Sequence, residues 1–171
     1  MKVESFIVQG WEEAEMGLVL DENEDWVLVK HIPADYVIDG YKLYKKKFIV
    51  KRTVSEAEKK VARVLQLKKV ETSIPPGFRF RATAAMLKWI EEHYEIFEFQ
   101  DEEGSELYYG RINKIQDGML VLNMIDADGH VETDEDIDHV IELISVIGFG
   151  SDYLYSLGLL TRDHATKNGS S

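Results

Sequence analysis

Two stretches of this chain carry the same order of apolar runs and turns at a constant offset of 93 residues. Gly17-Leu18-Val19 aligns with Gly110-Arg111-Ile112, and Trp26-Val27-Leu28-Val29 with Met119-Leu120-Val121-Leu122. Ile32, Ala34 and Asp35 fall on Ile125, Ala127 and Asp128, Ile38-Asp39 on Val131-Glu132, and Phe48 and Val50 on Ile141 and Leu143. Glu24-Asp25 meets Asp117-Gly118, and Asp-Gly between two apolar runs is a strong hairpin signal. Turn positions fix strand register, so ungapped agreement over about 35 residues points to a structural duplication. A period this long implies two units and not a solenoid.

The boundary falls at Ser73-Ile74-Pro75-Pro76-Gly77, because consecutive prolines hold the chain extended and cannot continue a helix. The expected organisation is a first unit over 1–72, a linker over 73–80, a second unit over 81–164 and a disordered polar tail over 165–171. Charge divides at the same place. Of the net −12, residues 1–70 carry +1 and residues 71–171 carry −13. A field of that sign repels phosphate, so nucleic acid is not expected on the second unit.

The apolar period predicts strands at Val3 to Val8, Gly17 to Leu20, Trp26 to Ile32, Val37 to Tyr44 and Phe48 to Arg52. It predicts them again at Ile96 to Gln100, Leu107 to Ile115, Met119 to Ile125, Val140 to Val146 and Tyr153 to Leu157. Ser55-Glu56-Ala57-Glu58 is a capping box that opens a helix with Ala57, Val61, Val64 and Leu65 on one face. A second helix is predicted from Ala82 to His93. A helix with five short strands fits a small barrel, since so short a sheet buries enough apolar surface only by curling. The expected fold is mainly β (α+β): two small Sm-like or SH3-like barrels, each with an associated helix. Trp26, Leu28, Ile32, Trp89, Ile90, Leu120, Leu122 and Ile141 are expected in the core.

Glu24-Asp25-Trp26-Val27-Leu28-Val29 and Asp35-Tyr36-Val37-Ile38-Asp39-Gly40-Tyr41 resemble the first half of an uncharacterised bacterial protein family. Tyr109-Gly110-Arg111-Ile112, Ile125-Asp126-Ala127-Asp128-Gly129-His130-Val131 and the run from Ile137 to Val146 are similar to its second half. The resemblance covers residues 15–157 and implies two tandem Sm-like small barrels. These motifs are strands and turns and carry no chemistry. The family's aromatic two residues after Asp-Gly is replaced here by Val131.

With no Cys, disulfides, thiolate zinc sites and cysteine nucleophiles are excluded. No apolar run has the length of a membrane span, and the first residues do not read as a signal peptide, so a cytoplasmic protein is expected. No Gly-x-Ser-x-Gly elbow, phosphate-binding loop or paired histidine motif is present, so neither an enzyme nor a cofactor is expected. The best binding candidate is the basic run from Lys42 to Arg52. Tyr44, Lys45, Lys47, Lys51 and Arg52 interleave charge with an aromatic, a pattern suited to an anionic strand with stacked bases. The competing readings are an edge strand guarded by lysines and a strip that docks onto the acidic second unit. A weaker candidate is a cation loop. With Gly129 at loop position six, Asp126, Asp128 and Glu135 take calcium-ligand positions, with Glu132 between them, but Met124 stands where the first carboxylate is required. The function expected is a non-enzymatic interaction module binding a protein partner or itself, with RNA or another nucleic acid on the basic strand as the alternative.

Overall fold

The protein is described from a computed structural model over residues 1–132 and 137–169. Its first half contains β1 (Lys2–Val8), β2 (Glu15–Glu22), β3 (Trp26–Ile32), β4 (Tyr41–Lys45), a 3-10 turn (Lys46–Phe48), β5 (Ile49–Thr53) and α1 (Glu56–Leu67). Its second half contains α2 (Thr83–Tyr94), β6 (Phe97–Asp101), β7 (Tyr108–Gln116), β8 (Met119–Ile125), β9 (Val131–Glu132) and β10 (Asp138–Val140). A second 3-10 turn (Ile141–Leu143), β11 (Ile144–Phe149) and α3 (Asp152–Asn168) complete it.

The fold is mainly β. All the strands join one open antiparallel sheet in the order β10-β8-β7-β6-β11-β4-β3-β2-β1-β5, with β9 also on β8. If β10 is counted as the fourth strand of its half, each half reads 4-3-2-1-5, and each has its 3-10 turn between the fourth and fifth strands. The two halves are not left separate. β11 pairs with β4, setting Val146 opposite Tyr44 and Gly148 opposite Lys42. Among the described residues the sheet therefore ends at two unpaired edges, β5 on one side and β10 with β9 on the other.

Packing crosses that seam. Trp26, Leu28 and Leu43 of the first half share a core with Phe97, Phe99, Ile147 and Phe149 of the second, closed by Met86, Leu87 and Ile90 of α2. On the opposite sheet face, Val146 joins Phe6, Val8, Val27, Val29, Tyr44 and Phe48. α1 lays Val61 and Leu65 on Val3, Leu18 and Ile32. Its capping box forms as the sequence reads it, with Ser55 and Glu58 satisfying each other's backbone donors. Of the expected core residues, Trp89 is only half-buried, because α2 presents it to Phe78 at the rim and not to the sheet.

Other expectations change. Tyr153 to Leu157 is helix and not strand. Gly150 at φ +69° turns the chain, Ser151 caps the helix, and Leu154, Leu157 and Thr161 form its buried stripe. α3 runs to Asn168, so residues 165–168 are helical and not part of a disordered tail. Strand structure after β3 begins only at Tyr41, since a turn with Asp35 at φ +45° intervenes. The run from Val140 to Val146 is broken by its 3-10 turn.

Candidate functional site

The seam collects polar side chains on a face that is otherwise apolar. Strand alternation puts Lys42 and Tyr44 on the side opposite Leu43. Lys42 Nζ donates to both Glu15 carboxylate oxygens, at 2.8 and 2.6 Å, and the Tyr44 hydroxyl donates to Glu15 Oε2 at 2.9 Å. His31 Nε2 lies 3.7 Å from the same carboxylate. Trp11 covers the group, with Lys42 Nζ 5.8 Å from its ring centre. From the other half, Glu98 on β6 lies across Gly148, where any Cβ would stand 2.5 Å from Glu98 Oε1. Glycine at 148 is thus what lets Glu98 cross β11 toward the first half.

Burial pushes His31 down to about 4, and the Lys42 charge adds to this, so the imidazole is neutral near pH 7. Burial raises the Glu98 carboxyl, and Lys42 opposes that rise. Burial also lifts Tyr44, with the Glu15 charge acting in the same direction. A cleft of about 830 Å³ opens beside this group, lined by Trp11, Glu15, His31, Tyr36, Lys60 and Gln100. Lys42 and Glu15 neutralise each other within the first half, and Glu98 of the second half stands within electrostatic reach of both.

The structure disperses the basic strip. Tyr44 is fully buried. Lys45 is buried, its Nζ donating to the Glu142 carboxylate at 3.0 Å and to the Glu142 carbonyl at 3.1 Å across the seam. Lys47 approaches the same carboxylate at 3.8 Å and lies over the Phe48 ring. Arg52 is held by Glu4 at 2.6 Å and Glu22 at 2.8 Å. The Arg52 hydrogen bond holds the Glu22 carboxyl down to about 2, and that from Lys45 lowers Glu142. Among the described residues, Lys51 on the β5 edge strand has no acidic partner. The five residues do not form one positive face.

The Asp126, Asp128 and His130 ligand atoms lie within 4.8 Å of one another. Asp126 Oδ1 accepts the backbone N–H groups of Asp128 at 2.9 Å and His130 at 2.8 Å, so the loop closes on itself. It then docks on α3. Thr161 Oγ1 donates to the Gly129 carbonyl at 3.0 Å, and His130 stacks on His164 at 4.3 Å. Gly129 has φ +81°, and a Cβ there would meet Leu160. Glu132 sits exposed on β9, and Glu135 lies outside the described residues.

The edge-strand reading of the basic run holds for β5, and the second edge, at β10, is what sequence reasoning missed. β5 and the residue after it expose Val50 (69 %) and Val54 (51 %), and β10 and the residue before it expose Val140 (41 %) and Ile137 (45 %). Unpaired strand edges carrying apolar side chains invite strand addition. The available signal for it was the shortness of β10, which does not by itself say that this strand ends the sheet. No helix among the described residues is long and apolar enough to cross a membrane. Comparison with models of protein families, with curated proteins and with solved structures finds no match.

Proposed function

We propose that this chain is a non-enzymatic protein-interaction module built from two copies of one small Sm-like or SH3-like barrel unit, engaging a protein partner through its free sheet edges. The repeated 4-3-2-1-5 strand order and the matching 3-10 turns support the duplication. The observation that carries the functional reading is the exposed apolar side chains at both edges, set on backbones with unsatisfied pairing groups. The alternative, RNA or another nucleic acid on the basic strand, is disfavoured. Lys45 and Arg52 already spend their charge on Glu142, Glu4 and Glu22, which leaves too few phosphate contacts for firm binding.

A photo-crosslinking residue placed at Val50 or at Val140 tests this in cells, with Lys88 on the exposed face of α2 as control. Protein adducts at the two edges and none at the control are expected. Absence of protein adducts at both edges, together with salt-dependent submicromolar binding of single-stranded RNA, would transfer the function to the basic strand.

A further inference from the structure

The intrachain seam is a template for a second one. In it a fifth strand (β11, of the second half) lies beside a fourth strand (β4, of the first). The strands left unpaired at the ends of the sheet are the other fifth strand, β5, and the other fourth strand, β10. We propose that a second copy of this chain docks head to tail, β5 of one protomer alongside β10 of the next, repeating the seam between molecules. This rests on the edge-strand interaction reading above and names its partner.

Side-chain packing sets the equivalence. Phe6 stacks on Tyr44 at 4.6 Å, and Phe99, which is 93 residues after Phe6, meets His139 at 4.9 Å. Glu15 touches Tyr44, and Tyr108, 93 residues after Glu15, touches His139 at 4.4 Å. His139 is therefore to the second half what Tyr44 is to the first, and Val140 and Lys45 each directly precede a 3-10 turn. Carrying the seam register over places Lys51 opposite His139, Arg52 opposite Asp138 and Thr53 opposite Ile137. The charges agree. The β5 edge carries Lys51, and Arg52 that Glu4 and Glu22 already pair, and the facing strand carries Asp138 in a half of net −13. The same register sets the exposed Val50 beside the exposed Val140, and the exposed Ile137 opposite Thr53.

The shape of the assembly follows from one more contact. Gln9 Nε2 donates to the Glu102 carbonyl at 3.2 Å, and Gly10 packs against the Glu103 backbone. Both pairs are equivalent residues at the 93-residue offset. Points stay beside their images only near a rotation axis with little translation along it. Successive copies therefore wind around the Gln9–Gly10 loop, in a closed or tightly wound assembly and not an extended fibre.

Sedimentation velocity on the full chain, from low to high micromolar concentration, tests the proposal. The mass should rise in multiples of 19.7 kDa. Asp138→Lys should weaken association by about tenfold, since it sets like charge against Arg52 across the junction, and Lys51→Glu, which puts a negative charge one position from Asp138, should weaken it less. Among the described residues neither Lys51 nor Asp138 makes an ion pair, and thermal unfolding of each variant confirms that it is folded. A monomer at every concentration, or an assembly indifferent to both reversals, overturns the proposal. If edge crosslinks then carry a foreign protein, the interaction reading survives and only the second copy is lost. If they carry none, both fail.

Discussion

Glu58 ties α1 to β1, and its removal should be costly in a pH-dependent way. Its Oε1 accepts from Ser5 Oγ at 2.5 Å, and its Oε2 accepts from Ser55 N–H at 2.7 Å and Ser55 Oγ at 2.5 Å. Burial opposes ionisation, yet these donors from Ser5 and Ser55 hold the carboxyl down to about 2 from 4.5. A shift of that size is worth about 3 kcal/mol of folding stability. Glu58→Ala also leaves the Ser55 N–H without its capping partner, a loss of about 1 kcal/mol that overlaps the first figure. We expect Glu58→Ala to lose about 3 kcal/mol near neutral pH, and Glu58→Gln roughly half of that, because charge-assisted bonds are about twice as strong as neutral ones. A depressed carboxyl contributes fully above its unfolded value of 4.5 and loses that contribution as pH falls toward 2. The gap between wild type and variant should therefore be widest near neutrality and close as pH approaches 2. Urea unfolding across that range measures it. A loss well under 1 kcal/mol for Glu58→Ala near neutrality, or a gap that does not change with pH, would refute this reasoning.

His31 should act in a separate window. It faces Glu15, Lys42 and Asp39, and its value of about 4 in the fold against 6.5 unfolded means that stability is full above 6.5 and declines as pH falls toward 4. His31→Gln should flatten that part of the stability curve, and an unchanged slope there would remove the argument. Leu28→Ala, at a fully buried core position, should cost about 2–5 kcal/mol by chemical denaturation. Gly10→Ala should destabilise measurably in thermal unfolding, because φ is +86° and the added Cβ meets the Glu103 backbone. A neutral result would show that the two loops do not touch.

Local structure was legible where local physics decides it. β3 and β8 have the bounds their alternation and turns predict, Trp26–Ile32 and Met119–Ile125, and the Ser55–Glu58 box forms as read. α3 was hidden because Tyr153, Tyr155, Leu159 and Leu160 are apolar on its exposed side, which blurs the helical stripe into a strand-like run. The constant offset fails after β8. The second 3-10 turn follows the first by 95 residues, so Phe48 corresponds to Leu143 and not to Ile141. The basic strip looked free because its neutralising acids, Glu4, Glu22 and Glu142, come from distant strands. The seam itself joins residues such as Lys45 and Glu142, 97 apart; the charge asymmetry allows the basic strip to dock on the acidic half, but nothing in either segment names the partner residue or the strand pairing.

The absence of cysteine gives a clean background for the most direct test of edge pairing. Thr53 and Ile137 face each other in the proposed register, so Thr53→Cys and Ile137→Cys proteins, each with a single thiol, are mixed and oxidised under mild conditions. A directly opposed antiparallel pair falls within disulfide reach, at roughly 4.5–5.5 Å between Cα atoms. Head-to-tail pairing of β5 with β10 predicts a disulfide that forms between the two variants in the mixture and only weakly within either variant alone. Equal or faster crosslinking of the Thr53→Cys protein with itself, or none in the mixture, would contradict it.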